Sequence, residues 1–272
     1  MKSAIARLFV VLLAGVLVPE AGFASVRFDG LNWYMSEDPD RLVLNEDHQL
    51  VWKDPAAPDM IAVRLPAMRL TDVGDTAEVV YKYKGSGTRT GVASTDPTML
   101  SGTGDIRIGL FDSNGRDHVD RDGIGYADIR FRGYLGYHVR VCPHLPVGIK
   151  RRHSDAIPGK FMKRTKPYGE DGGSLVSSAA SYGKSLDLSG FGLALDVYSP
   201  LVLKIERTAP KTLVFMVTLN GVTYRYVDDE PDLQPNKIDV MAMYFPNPIE
   251  YSSITFAGCW FSCMPVNGRR IE

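Results

Sequence analysis

The sequence has few cysteines and almost no net charge, and each scarcity excludes a class of protein. Three cysteines in 272 residues are too few for a small scaffold held together by disulfides. A net charge of -1 argues against nucleic acid as a general partner. With a hydrophobic fraction of 44%, a chain of this length can bury a core without such supports.

Long apolar runs are also missing, except for one at the N-terminus. There, Lys2 and Arg7 precede the uncharged run LFVVLLAGVLV, and small residues follow at Gly22-Phe23-Ala24. This run is too short to span a bilayer and has the form of a secretory signal. We therefore predict a signal peptide over residues 1–24, a single domain over 25–272, no membrane span, and a secreted or periplasmic mature protein.

An oxidising compartment favours a disulfide among Cys142, Cys259 and Cys263. In an extended strand, Cys259 and Cys263 would lie about 13 Å apart, which is beyond bridging distance. A bridge therefore needs a turn between these two residues, or a pairing of one of them with Cys142. A zinc site using the three cysteines and His144 is the alternative.

Helical periodicity is almost absent, and short β-branched and aromatic runs are bounded by Gly, Pro, Asp and Asn. Asn220-Gly221 indicates a hairpin turn, and Asp112-Ser113-Asn114-Gly115 indicates another turn. The pattern predicts an all-β fold, a two-sheet antiparallel β-sandwich (jelly roll), with one long basic loop. The predicted strands are 49–52, 61–65, 76–84, 105–111, 125–132, 137–142, 190–198, 201–207, 213–219, 222–227, 238–245 and 252–257.

Several of these runs resemble a known family. LVLKIER, VFMVTLNGVTYRYV, KIDVMAMYF and SSITFAG lie between Leu201 and Gly258, and IRIGLFDSNG precedes them. Together they resemble strands of the concanavalin A-like lectin/glucanase jelly-roll superfamily, which includes laminin G-like domains, lectins, glucanases and several polysaccharide lyases. The resemblance implies that the concave sheet carries glycan ligands.

The segment YADIRFRGYLGYHVRV, residues 126–141, alternates apolar and polar residues. It can form one long strand, or a hairpin with Gly133-Tyr134-Leu135 at its tip. Either arrangement places the same polar side chains on one exposed face and commits Ile129, Phe131, Val139 and Val141 to the core. That polar face consists of Asp128, Arg130, Arg132, His138 and Arg140.

This polar face has two interpretations. It is a solvated surface with an ion pair between Asp128 and Arg140, or it binds an anion, since arginine donates two parallel hydrogen bonds to carboxylates and sulfates.

The long connection over 143–189 begins with a basic run that can fold over the face as a lid. Its predicted ligand-binding residues are Lys150, Arg151, Arg152 and His153.

Catalytic motifs of hydrolases are missing. The chain has neither the alternating carboxylates of glucanases nor a Gly-x-Ser-x-Gly elbow. β-Elimination fits the residue types better, with Arg130 or Arg140 neutralising a uronate and with His138 and Tyr134 transferring protons. The Gln-x-His triplet of lyases with this fold is not present.

The turn-rich segment DSNGRDHVDRDG is rich in oxygen ligands. No cofactor is required by the predicted functions, but Ca²⁺ is a candidate ligand here. Turn-forming Asp and Asn residues explain the same composition. The candidate metal ligands are Asp112, Asn114, Asp117, Asp120 and Asp122.

The sequence thus leads to three hypotheses. The first is an exported glycan-recognising protein for an acidic polysaccharide. The second is a polysaccharide lyase that cleaves a uronate-containing glycan by β-elimination. The third is a structural or adhesion domain that binds a protein.

Overall fold

The structure is a computed structural model, and it describes residues 26–53, 59–86, 106–123, 125, 128–141, 160–164, 175–176, 181–185, 197–219, 221–245 and 253–264. The predicted signal peptide lies outside these residues. Within them, no helix has both the length and the apolar character needed to cross a membrane.

The described residues form antiparallel strands in two sheets, arranged as a sandwich. One sheet has eight strands in the order β1-β2-β5-β14-β7-β8-β9-β10, and the other has seven in the order β13-β12-β11-β6-β15-β4-β3. The strand bounds are β1 Val26–Phe28, β2 Leu31–Met35, β3 Leu42–Leu44, β4 Leu50–Lys53, β5 Asp59–Arg69, β6 Thr76–Ser86, β7 Ile106–Asp112, β8 Leu135–Val141, β9 Lys160–Arg164, β10 Ser181–Ser185, β11 Ser199–Ala209, β12 Thr212–Leu219, β13 Val222–Asp228, β14 Lys237–Phe245 and β15 Ser253–Met264.

Side-chain alternation gives the eight-stranded sheet two apolar faces. Residues such as Val63 and Leu110 pack against Tyr81 and Phe215 of the seven-stranded sheet and form the main core. Their strand neighbours point the other way, where Phe111 belongs to a second buried cluster. We call this second side the outer face. Short segments after β7 and before β8 cover it, through Val119, Phe131 and Tyr134.

The predicted all-β sandwich is confirmed, and the predicted Asn-Gly hairpin is present as well. Leu219 pairs with Val222 across the turn between β12 and β13. Gly221 has a φ of 77°, which glycine adopts at no steric cost. The turn after β7 is also confirmed, with positive φ at Asn114 and Gly115.

Neither arrangement predicted for residues 126–141, one long strand or a hairpin, is found in the structure. Residues Ile129–Gly133 form a single 3₁₀ turn, and β8 pairs instead with β7 and β9. The Asp128 side chain accepts a hydrogen bond from the Arg130 backbone N–H (2.8 Å), which caps the turn and competes with strand pairing. Ile129, predicted to lie in the core, is 68% exposed.

The long connection after β8 is not free of strands, because β9 and β10 lie within it. Lys163, which belongs to the basic part of this connection, is 2% exposed and lies beside Asp228. Cys259 and Cys263 both lie on β15 and are free thiols. They therefore form no bridge with each other, while Cys142 and His144 fall outside the described residues.

Candidate functional site

His138 lies on the outer face, as its alternation on β8 requires, but it is not exposed. Its strand neighbour in register is Gly109, and its side chain is only 1% exposed. A Cβ at position 109 would come within 2.7 Å of the His138 Cβ, so glycine leaves room for the imidazole. The predicted exposure of His138 is wrong because covering segments bury this face, and alternation alone does not indicate such a cover.

Arg130 and Asp128 pair with each other instead of reaching across a hairpin. Arg130 Nε donates to Asp128 (2.9 Å), and its Nη1 donates to Asp120 (2.8 Å). The hydrogen bond to Asp128 is the main reason why the pKa of Arg130 is raised. Among the described side chains, these contacts form a network that joins two covering segments. The predicted pairing of Asp128 with Arg140 remains a prediction, because the Arg140 side chain lies outside the described part of the structure.

Tyr134 helps to cover the outer face and is itself fully buried. Its hydroxyl donates to the carbonyl of Asp117 (2.6 Å), and burial raises its pKa well above the usual range. A phenol held in this way is poorly placed to exchange protons with a ligand in solvent. The proton-transfer role given to Tyr134 remains a prediction that this geometry does not favour.

Arg140 lies next to an arginine that the sequence analysis did not single out. In register, Arg107 of β7 is opposite both Arg140 and Tyr244. Arg107 donates to the carbonyl of Val176 (3.1 Å), and its guanidinium carbon lies 5.8 Å from the centre of the Tyr244 ring. The structure describes only the backbone of Arg132 and Arg140, and Lys150, Arg151, Arg152 and His153 lie outside the described residues.

The predicted calcium ligands have separate partners in the structure. Asp112 accepts from the backbone N–H groups of Asn114 and Asn236, and Asp122 accepts from that of Met35. Asp120 pairs with Arg130, and the Asn114 side chain donates to the carbonyl of Gly133. Within the described residues, no group of three or more His, Cys, Asp or Glu side chains could hold a metal ion. Turn formation accounts for Asp112 and Asn114.

A cleft opens beside the outer face where β5 and β14 lose their regular pairing. Arg64 pairs with Val240 and Met68 pairs with Ile238, so three residues of β5 oppose the single residue Asp239. The middle residue of the three is Pro66, which has no N–H to donate to the neighbouring strand. This irregularity separates the strands locally. The resulting cavity of about 330 Å³, here called the bulge cleft, is lined by Gly30, Leu31, Asn32, Arg64, Leu65, Pro66, Ala67, His118, Lys237 and Asp239.

Asp239 is the centre of the polar groups in the bulge cleft. It accepts from the backbone N–H and the hydroxyl of Ser113, both at 2.7 Å, and from Lys237 Nζ at 2.6 Å. His118 Nε2 lies 3.0 Å from the same carboxylate. Burial acts to raise the pKa of Asp239, but the hydrogen bonds from Lys237, Ser113 and His118 outweigh it and lower the pKa. Asp239 is therefore a fixed anion that orients the imidazole of His118.

Arg64 is the cation of the cleft that has no partner among the residues the structure describes. It is exposed, and it makes no hydrogen bond or ion pair with any other residue that the structure describes. Asn32 is exposed beside it. The cleft thus combines an uncommitted guanidinium, an amide and an imidazole whose second nitrogen, Nδ1, is not the one facing Asp239.

Sequence reasoning missed this set of residues. His118 was noticed only within a segment interpreted as a calcium loop. The sequence contains one indication of this site, the carboxylate of Asp239 within the apolar strand KIDVMAMYF. A buried acid needs hydrogen-bonding partners, so its presence there indicates a polar cluster. Its partners Ser113 and His118 are more than 120 residues away along the chain. Only the strand register brings them together.

Several solved structures are similar to this chain at low identity. The potassium-bound carbohydrate recognition domain of Emp46p is 10% identical, with a TM-score of 0.47 over 84% of this chain and 87% of that one. The Lotus tetragonolobus seed lectin is 10% identical (TM-score 0.46; 89% and 96%), and the alginate lyase AlyC3 is 12% identical (TM-score 0.42; 83% and 79%). All three similarities have TM-scores below 0.5 and identities of at most 12%, whereas the two-sheet sandwich follows from the strand pairing of this chain itself.

No protein-family model and no curated protein sequence matches the chain. At such low identity, the likeness to solved structures concerns the fold alone.

Proposed function

We propose that this protein is an exported glycan-recognising protein that binds an acidic polysaccharide in the bulge cleft. The observation that carries the proposal is Arg64, an exposed guanidinium uncommitted within the described residues, in the same cavity as His118 and Asn32. Its fork matches a carboxylate or sulfate, while the amide and imidazole suit sugar hydroxyls. A cavity of about 330 Å³ is at the small end of the range for ligand sites, which suits a sugar unit of a longer chain.

Calorimetry with acidic and neutral polysaccharides tests this proposal. Arg64→Ala should weaken binding of alginate or polygalacturonate roughly tenfold or more, because hydrogen bonds to a charged group are worth about 1.5–3 kcal/mol. The glycan affinity of Arg64→Lys should lie between those of the wild type and Arg64→Ala, because lysine keeps the positive charge but lacks the two parallel donors of the guanidinium. Raising the salt concentration should weaken the wild type more than Arg64→Ala.

The matched control is Arg225→Ala, which removes an arginine from the seven-stranded sheet, away from the cleft. It should bind like the wild type. The proposal fails if Arg64→Ala and Arg225→Ala bind equally well, or if no acidic glycan binds. Binding of a protein in place of a glycan would support the third hypothesis, a structural or adhesion domain.

A second candidate function, β-elimination, is favoured by the contact between His118 and Asp239 (3.0 Å). With Nε2–H donating to Asp239, Nδ1 is the basic nitrogen. Arg64 would neutralise a uronate carboxylate, and Nδ1 would remove the proton on the adjacent carbon. The electrons released would form a carbon–carbon double bond as the neighbouring carbon–oxygen bond breaks. The imidazolium would then return its proton to the departing oxygen.

The lyase hypothesis is tested by following the absorbance of unsaturated uronates. We expect His118→Ala to abolish turnover while glycan affinity falls much less than in Arg64→Ala, because a general base contributes mainly to the transition state. Asp239→Asn should also lower turnover, since it no longer fixes the imidazole tautomer. His138→Ala, with a melting curve recorded alongside, tests the role that the sequence predicted for His138. If wild-type protein binds acidic glycans but yields no unsaturated product, the protein is a lectin.

A further inference from the structure

The outward side of the seven-stranded sheet carries two exposed aromatic rings beside its central strand β6. Lys82 and Lys84 alternate on β6 with Tyr81 and Tyr83, which belong to the main core. Both lysines therefore point outward, about 7 Å apart along the strand. This side lies on the opposite surface of the sandwich from the outer face and the bulge cleft.

Trp260 is the larger of the two rings and is 51% exposed. Its indole packs against β15 at Gly258, where a Cβ would lie only 2.7 Å from the ring. Glycine at this position therefore leaves space for the indole. The other two tryptophans of the chain, Trp33 and Trp52, are buried in the main core.

Tyr198 precedes β11, on the other side of β6, and is 36% exposed. Its hydroxyl donates to the Gln49 side chain (3.0 Å), which anchors the end of the ring. Each ring has a lysine beside it. Lys82 Nζ lies 5.8 Å from the centre of the Trp260 ring, and Lys84 Nζ lies 4.9 Å from that of Tyr198.

The two lysines have no acidic partner within the described residues. Cation–π contacts place an ammonium near each ring without neutralising its charge. Within the described residues, the surface therefore offers two aromatic rings, each beside a lysine that has no acidic partner. A ligand that matches it has apolar C–H faces and negative groups at similar spacing, as the sugar units of an acidic polysaccharide do.

We propose that Lys82, Lys84, Tyr198 and Trp260 form a second binding site for an anionic glycan chain, here called the aromatic platform. Sugar faces stack on the two rings, and carboxylate or sulfate groups contact the two ammonium groups. The platform takes its ligand class from the proposed function but does not depend on the bulge cleft. Two sites on opposite surfaces would let one protein hold two chains, or two parts of one chain.

Tryptophan fluorescence tests the platform directly, because Trp260 is the exposed tryptophan among three. We expect acidic oligosaccharides from alginate or polygalacturonate to shift the emission to the blue and to protect it from acrylamide quenching. A Lys82→Ala/Lys84→Ala variant should require at least about tenfold more oligosaccharide for the same shift. Lys53→Ala, which removes an exposed lysine near the end of the same sheet, is the matched control and should behave like the wild type.

Arg64→Ala separates this proposal from the proposed function. The Trp260 shift should persist in Arg64→Ala even though calorimetry shows weaker binding in the cleft. If Arg64→Ala leaves calorimetric binding unchanged while the shift persists, the cleft proposal fails and the platform stands. The platform is refuted if no acidic oligosaccharide changes the Trp260 signal, if neutral oligosaccharides change it equally, or if the lysine double variant retains the full response.

Discussion

Asp59, at the start of β5, is a buried carboxyl group in a ring of donors. It accepts from the Ser36 hydroxyl (2.9 Å) and from the backbone N–H groups of Glu37 and Met60. Arg41 is its nearest cation, at 3.8 Å. Burial outweighs these contacts and raises the pKa of Asp59 from 3.8 to about 6. The folded state therefore holds a proton on Asp59 at pH values where the unfolded chain has released it.

This difference in the pKa of Asp59 between the folded and unfolded states predicts that stability depends on pH through the titration of Asp59. Because the pKa is higher in the folded state, the stabilising contribution is complete below pH 3.8 and is lost as the pH rises through about 6. The shift of about 2 pKa units corresponds to about 3 kcal/mol. Asp59→Asn removes the titration and keeps an acceptor, so the wild type should lose about 2 kcal/mol relative to it between pH 4 and pH 7.

Denaturant unfolding at pH 4, 5.5 and 7 measures this effect. Asp47→Asn, at an exposed position, is the control and should follow the wild-type profile. If the free energies of unfolding of the wild type and Asp59→Asn change with pH in parallel, burial does not raise the pKa of Asp59.

At the residue scale, alternation predicted the side of the sheet on which His138 lies but not its exposure. His138 does face away from the main core, yet covering segments bury it. Arg130 was misplaced because a side-chain cap at Asp128 turned a strand-like sequence into a 3₁₀ turn. Local hydrogen bonds of this kind compete with strand pairing, and a periodicity argument does not weigh them.

At the scale of elements, most long alternating runs were predictable and most short ones were not. β6, β11, β12 and β13 all begin and end within two residues of their predicted bounds. The short strands β1, β2 and β3 were missed, and β9 and β10 were hidden in a basic connection. Strands of three to five residues carry too few alternations to stand out, and their partners determine whether they form.

The bulge cleft shows why a candidate site is harder to predict than the strands around it. β5 and β14 were found in the sequence and β2 was missed, but the cleft depends above all on three residues of β5 facing one of β14. Pro66 was the local sign of such an irregularity. The contact between His118 and Asp239 follows from the register of β5, β14 and β7, which no single strand encodes.

At the scale of the whole molecule, one buried charge cluster joins the two sheets. Lys163 of β9, in the eight-stranded sheet, lies 2.9 Å from Asp228 of β13, the edge strand of the seven-stranded sheet. Tyr137 donates to the same carboxylate, and burial together with that carboxylate raises the pKa of the phenol. Lys163 also donates to the carbonyl of Glu230, so each partner of the pair has further hydrogen bonds.

We expect this pair to be far more sensitive to substitution than a surface pair. Lys163→Met leaves the Asp228 carboxylate buried without its cation, so it should lower the free energy of unfolding by about 3–5 kcal/mol. Adding Asp228→Asn should restore part of that loss, because the amide carries no charge and can still accept from Tyr137. Lys204→Met, which breaks the half-exposed pair with Glu206, is the matched control and should cost less than about 1 kcal/mol. Urea unfolding at pH 7 measures all four proteins. Equal costs for Lys163→Met and Lys204→Met would mean that hydrophobic packing alone, and not this charge cluster, holds that side of the sandwich together.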